Sequence, residues 1–126
     1  MSVVLDASAL LALIFDETGA ENVAPHVRGS LLLAVNFSEV VQRIITIDGN
    51  PDRAEEAVDQ LEIGIAPFDR RLARLAAELS QPTAFMGASF ADRACLAFGL
   101  VTGRTVLSAD RDWRKLDLGI DIRLIR

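Results

Sequence analysis

The stretch VVLDAS, Val3 to Ser8, decides how the rest of the chain is read. Val3, Val4 and Leu5 are apolar and two of them are β-branched, which suits a short buried strand. Asp6 ends that strand, where a carboxylate is costly to bury without a partner. A strand that is apolar throughout, with no alternation, belongs in a parallel sheet covered on both faces. The same type returns in LLLAV (31–35), IGIAP (63–67), TVLS (105–108) and IRLI (122–125), with helical segments between them. The pattern predicts an α/β fold, a three-layer α/β/α sandwich around a central parallel sheet, in one domain spanning residues 1–126.

The helical segments carry their own punctuation. SALLALIFDE (8–17) reads as a helix with Ser8 as its N-cap. TGAENVAPHVRG (18–29) is shorter and weakened by Gly19 and Pro25. NFSEVVQRIITIDG (36–49) is a helix ended by Gly49. NPDRAEEAVDQLE (50–62) starts with Asn50 and then Pro51 at the first helical position. FDRRLARLAAELS (68–80) puts Phe68, Leu72, Leu75 or Ala76, and Leu79 on one face, with Arg70, Arg71 and Arg74 opposite. QPTAFMG (81–87) is a loop. ASFADRACLAFGLVTG (88–103) is a helix whose expected buried stripe is Phe90, Ala94, Phe98 and Val101. ADRDWRKL (109–116) is a short helix or turn.

Composition narrows the function classes. The chain has 126 residues, 51% hydrophobic and 25% charged, which fits a folded domain. Its net charge of -5 argues against a protein that holds nucleic acid by bulk positive charge. It leaves room for one that holds a metal at an acidic site. The one cysteine, Cys95, excludes an internal disulfide framework and suits a reducing, cytoplasmic setting. The first residues carry no basic group ahead of the apolar run, and Asp6 interrupts that run, unlike a secretory signal. No apolar run reaches the roughly 18–20 residues that span a bilayer, so no membrane contact is expected.

The acids are the informative residues. Asp6 ends the first strand, Glu39 lies in the first turn of the helix NFSEVV after the second strand, Asp92 is in the first turn of its helix, and Asp110 follows TVLS with Asp112 two residues on. In an open parallel sheet, strand C-termini and the helix N-termini after them share one edge, and ligands bind there where the strand order reverses. Capping accounts for some of these acids singly. Glu39 stands three after Asn36, Asp92 three after Ser89, and Asp110 could cap RDWRKL. It does not account for four acids on one edge together with Asp6. Carboxylates so placed repel one another and raise some pKa values. A hard divalent cation removes that penalty with one or two direct ligands, and can act on a phosphodiester.

Taken in order, VVLDASALLAL, VNFSEVV, GASFADRACLA and VLSADRDW resemble the four motifs of the PIN-domain family. The size and the form of the third and fourth motifs resemble the toxin component of VapBC-type toxin–antitoxin pairs. The resemblance implies a Mg2+- or Mn2+-dependent endoribonuclease with Asp6, Glu39, Asp92 and Asp110 as catalytic acids. Asp6, Asp92 and Asp110 would hold the metal and Glu39 would act through water. Ser8 would be an auxiliary hydroxyl, and Asp112 is an auxiliary acid with no family assignment. It also implies an RNA substrate, a cognate antitoxin as partner, and a homodimer. Ser108 stands where the family often has threonine, and Trp113 where another aromatic or apolar residue is common.

Other residues are weighed against plainer roles. Arg93 and Arg111 each follow a proposed site acid and are candidates for substrate phosphate contact. The stripe Arg70, Arg71 and Arg74 reads as a solvated face, with RNA or antitoxin contact as the alternative. His26 reads as a surface residue and Cys95 as a small core residue. A catalytically idle, partner-binding domain of the same fold is the alternative function. An aspartate-nucleophile phosphotransferase fits less well. It needs a second aspartate where Ser8 stands and a later lysine, and Lys115 is the only lysine.

Overall fold

In the computed structural model, which describes residues 2–126, the strands form one five-stranded sheet in the order β3-β2-β1-β4-β5, parallel throughout. The strands are β1 (Val4–Leu5), β2 (Leu31–Leu33), β3 (Gly64–Ala66), β4 (Val106–Ser108) and β5 (Ile122–Leu124). The helices are α1 (Ala7–Ile14), α2 (Ala20–Val23), α3 (Ala34–Asp48), α4 (Pro51–Asp59), α5 (Arg70–Glu78) and α6 (Phe90–Thr102). The expected three-layer sandwich is therefore present.

Alternation along each strand divides the core in two. Leu5, Leu32 and Leu107 pack against α1, α3 and α4 through Leu10, Val40, Ile44, Ala54 and Val58. Val4, Leu33 and Val106 pack on the other side with Leu72 and Ala76 of α5 and Ala94 to Phe98 of α6. Gly99 lets α6 approach the sheet, since a Cβ there would stand 2.7 Å from Val106 Cγ2. Gly49 ends α3 in the left-handed region at φ 76°, as the sequence indicates.

The chain runs β1, β2, β3 to one side and then returns to place β4 on the other flank of β1. The order thus reverses beside β1, and Asp6 is the first residue past it.

Several local expectations are corrected. Asp6, not Ser8, occupies the N-cap position of α1, with no side-chain cap bond. The second strand stops at Leu33, because its pairing ends there opposite Ala66 and helix-favouring Ala34 turns directly into α3. Asn36 is therefore inside the first turn of α3 rather than at its cap. Phe90 is 51% exposed and is not part of the buried stripe. It starts α6, so its side chain lies at the rim, edge-on to Phe68 with 5.6 Å between ring centres.

Candidate active site

Asp6 sits at the carboxyl end of the central strand and is only 4% exposed. Its N–H donates to the Leu107 carbonyl (2.9 Å), which sets Ser108 alongside it on β4. One carboxylate oxygen, Oδ2, accepts from Ser8 Oγ at 2.6 Å and from Ser108 Oγ at 3.0 Å. The hydroxyls are themselves anchored: Ser8 Oγ accepts from Ala109 N and Ser108 Oγ from Asp110 N. Burial pushes the Asp6 carboxyl up to about 7. The two hydroxyl bonds resist that rise, while the nearby Asp92 and Glu39 charges add to it.

Glu39 reaches the same edge from α3. Its Oε1 accepts from Asn36 Nδ2 at 2.9 Å. Its pKa is raised, first by burial and then by the Asp92 charge, against the Asn36 bond. Asp92 sits in the first turn of α6 and closes a capping box: its Oδ2 accepts from Ser89 N (3.0 Å), and its N–H donates to Ser89 Oγ (3.1 Å). The plain capping role is thus real for Asp92. Capping occupies only one of its oxygens.

Asp110 is the second residue past β4. Its Oδ1 accepts from Asp112 N at 3.0 Å and caps the 3₁₀ turn Arg111–Lys115. It is not among the charges that raise Asp6. The structure therefore couples Asp6, Glu39 and Asp92, with Asp110 joined to them through the Ser108 hydroxyl. Asp112 is exposed and faces Lys115 Nζ at 3.5 Å, an exposed pair of little energetic weight.

Arg93 turns toward α5, donating from Nη1 to the Ala76 carbonyl (2.9 Å) with its guanidinium 5.9 Å above the Phe90 ring. Arg111 is exposed and lines an open cleft of about 710 Å³ with Asp16, Glu17, Thr18, Ala109 and Arg126. Arg70, Arg71 and Arg74 lie on the exposed face of α5, where Arg74 pairs with Glu78 at 3.0 Å. His26 is exposed at the end of a 3₁₀ turn. Cys95 is fully buried one turn beyond Asp92. Burial, together with the Asp6, Glu39 and Asp92 charges, holds its thiol well above the usual range and keeps it unreactive.

A common pattern emerges across Asp6, Glu39, Asp92 and Asp110. Each has one oxygen held by a protein donor, and the other receives none from the described residues. No ion pair among the described residues involves any of the four. Nor do any three acid, histidine or cysteine side chains there stand at metal-ligand spacing. The donor chemistry nevertheless fits a hard divalent cation: anionic oxygens, unneutralised by any arginine or lysine among the described residues, with Asp6 and Glu39 raised by burial and by the Asp92 charge.

Two residues of this edge have no site role in the sequence reading. Ser108 bonds Asp6 from the neighbouring strand, and the signal was its place at the end of the strand that precedes Asp110. Asn36 reads in sequence as a helix cap, but the earlier start of α3 turns it inward.

The comparisons with known proteins bear on this geometry. A family model for the PIN domain matches residues 3–118. Among curated protein sequences, none matches the chain. Solved structures with similar folds include a DNA-bound VapBC from Salmonella typhimurium, at TM-score 0.78 and 14% identity, covering 100% of this chain and 99% of that one. A toxin–antitoxin complex from Klebsiella pneumoniae has TM-score 0.79 and 14% identity, covering 99% and 98%. VapC20 of Mycobacterium tuberculosis, a toxin that cleaves the sarcin–ricin loop, has TM-score 0.75 and 18% identity, covering 90% and 94%.

Proposed function

The chain belongs to the PIN-domain family, and from that premise we propose that it is a metal-dependent endoribonuclease, the toxin of a toxin–antitoxin pair. Its site is the edge formed by Asp6, Glu39, Asp92 and Asp110. Mg2+ or Mn2+ would be held by Asp6, Asp92 and Asp110, with Glu39 acting through water. The observation that carries the reading is Asp6: a buried carboxylate at the sheet's reversal point, pushed up to about 7, with no cationic side chain among the described residues paired to it. A fold alone has no use for that arrangement, since a neutral residue there would be less costly.

When bound, the ion supplies Lewis acidity and charge neutralisation at the scissile phosphate. The chain's own residues do the rest. Ser8 and Ser108 fix Asp6 through Oδ2 and leave Oδ1 toward the site. Asn36 and Ser89 do the same for Glu39 and Asp92. Arg111, and Arg93 if it leaves Ala76, meet RNA phosphates beside the edge.

An antitoxin and a second copy of this chain are the proposed protein partners, in the cytoplasm. The structural neighbours include toxin–antitoxin complexes. Phe85 and Ile47 are 60% and 61% exposed, apolar surface available for burial in such contacts. No helix among the described residues is long and apolar enough to cross a membrane. A catalytically idle, partner-binding domain remains the second reading, and the separation of the carboxylates favours it.

The experiment is incubation of structured RNA with the purified protein in Mg2+, in Mn2+ and in chelator. Discrete cleavage in metal, absent in chelator, supports the nuclease. Intact RNA in all three leaves the idle domain.

A further inference from the structure

We propose that Asn36 is a positioning residue for the acidic edge, one amide that fixes the Glu39 carboxylate relative to the helix turn carrying Asp92. The inference rests on the metal-nuclease reading above. Asn36 is fully buried. Its two N–H donors are both used, and on different elements. Nδ2 donates to Glu39 Oε1 at 2.9 Å on its own helix and to the Ala91 carbonyl at 3.2 Å on α6. Ala91 is the residue before Asp92. The same nitrogen therefore ties together the elements that deliver two of the acids.

Its Oδ1 supports a site role over a packing role. That oxygen is buried and accepts no hydrogen bond from the described residues. A buried acceptor without a partner is a liability to the fold, which an apolar side chain of the same shape would remove. Turning the amide over does not help, because Oδ1 would then face two acceptors. The residue is thus poor as a core residue and well suited to orienting Glu39 so that Oε2 is left to the site. Polar groups that orient the carboxylates around a metal, including those that reach it through water, govern its affinity without touching it.

The test is thermal melting in chelator and across a Mn2+ titration, with kcat and KM for RNA cleavage, on the parent, Asn36→Leu and Asn36→Ser. Asn36→Leu should fold, with a melting point in chelator near or above the parent's. The Mn2+ concentration for half-maximal stabilisation should rise about tenfold. The value of kcat should fall while KM for RNA holds. Asn36→Ser, keeping one hydroxyl donor, should lie between and decides the matter if the leucine variant does not fold. In a Glu39→Gln background, Asn36→Leu should add no further shift. Parent-like Mn2+ midpoints in the Asn36 variants, or a full additional shift in the Glu39→Gln background, would overturn the inference while leaving the metal site standing. A parent that does not respond to Mn2+ at all would remove the metal reading itself, and the inference with it.

Discussion

Replacing Asp6 with Asn removes a charge the fold holds at a cost and keeps the shape that the fold uses. The Asn carbonyl can take the place of Oδ2 and accept from both Ser8 and Ser108. The carboxyl rises from 3.8 to about 7, mainly through burial, with Asp92 and Glu39 adding to it. At about 1.4 kcal/mol per unit, ionised Asp6 destabilises the metal-free protein by roughly 4 kcal/mol above pH 7. The sign follows from the raised value. Below pH 4 the group is protonated in both states and costs nothing. Between about 4 and 7 the unfolded chain has lost the proton that the folded chain keeps, so stability falls as pH rises. Asp6→Asn should therefore melt higher than the parent at pH 8 in chelator, by up to roughly 15 °C for a chain of this size. At pH 4 the gain should vanish. Melting of both proteins at the two pH values is the assay. An Asn variant equally or less stable than the parent at both would refute the reasoning.

Asp92→Ala should lose about 0.5–2 kcal/mol of stability with its capping box, whereas Asp92→Asn should keep the box, and urea melts of the pair separate capping from chemistry. Arg111→Ala should flatten the salt dependence of RNA binding by roughly 0.7 of a log unit per log unit of salt, one phosphate contact on a single strand. Arg93→Ala should instead cost about 1–3 kcal/mol of stability through its bond to Ala76, visible in the same melts even if the salt slope is unchanged. Light scattering at micromolar concentration should give a dimer, and Phe85→Asp or Ile47→Asp should shift it toward monomer if either face is the contact.

The sheet was legible because its strands are apolar without alternation, a signal that only burial on both faces produces. Gly49 marked a helix end because its left-handed backbone admits few residues, and Asn50 with Pro51 marked a start because the Asn50 side chain caps the Asp52 and Arg53 N–H groups ahead of a proline. The edge that carries the acids was legible for the same topological reason. Less visible was how each acid is held. Ser8 reads as a cap in sequence, yet here it bonds Asp6 on one side and the Ala109 N–H on the other. That arrangement depends on β4 lying beside β1, a contact across 101 residues. Asn36 was misplaced by two residues of strand that became helix, and that slip hid its inward turn. Helical period places Phe90 on the stripe, but period alone cannot tell the first turn at a rim from the buried turns after it.

The most direct test of the central claim is the RNA cleavage rate in Mn2+ of Asp6→Asn, Glu39→Gln, Asp92→Asn and Asp110→Asn, each compared with the parent at equal folded fraction. These substitutions keep the hydrogen-bond acceptors that hold Ser8, Ser108, Asn36, Ser89 and the Asp112 N–H, so the fold should survive in all four. The account predicts that every variant is folded and that every rate falls by orders of magnitude, to the level seen in chelator. Cleavage by Asp6→Asn at the parent's rate would contradict it.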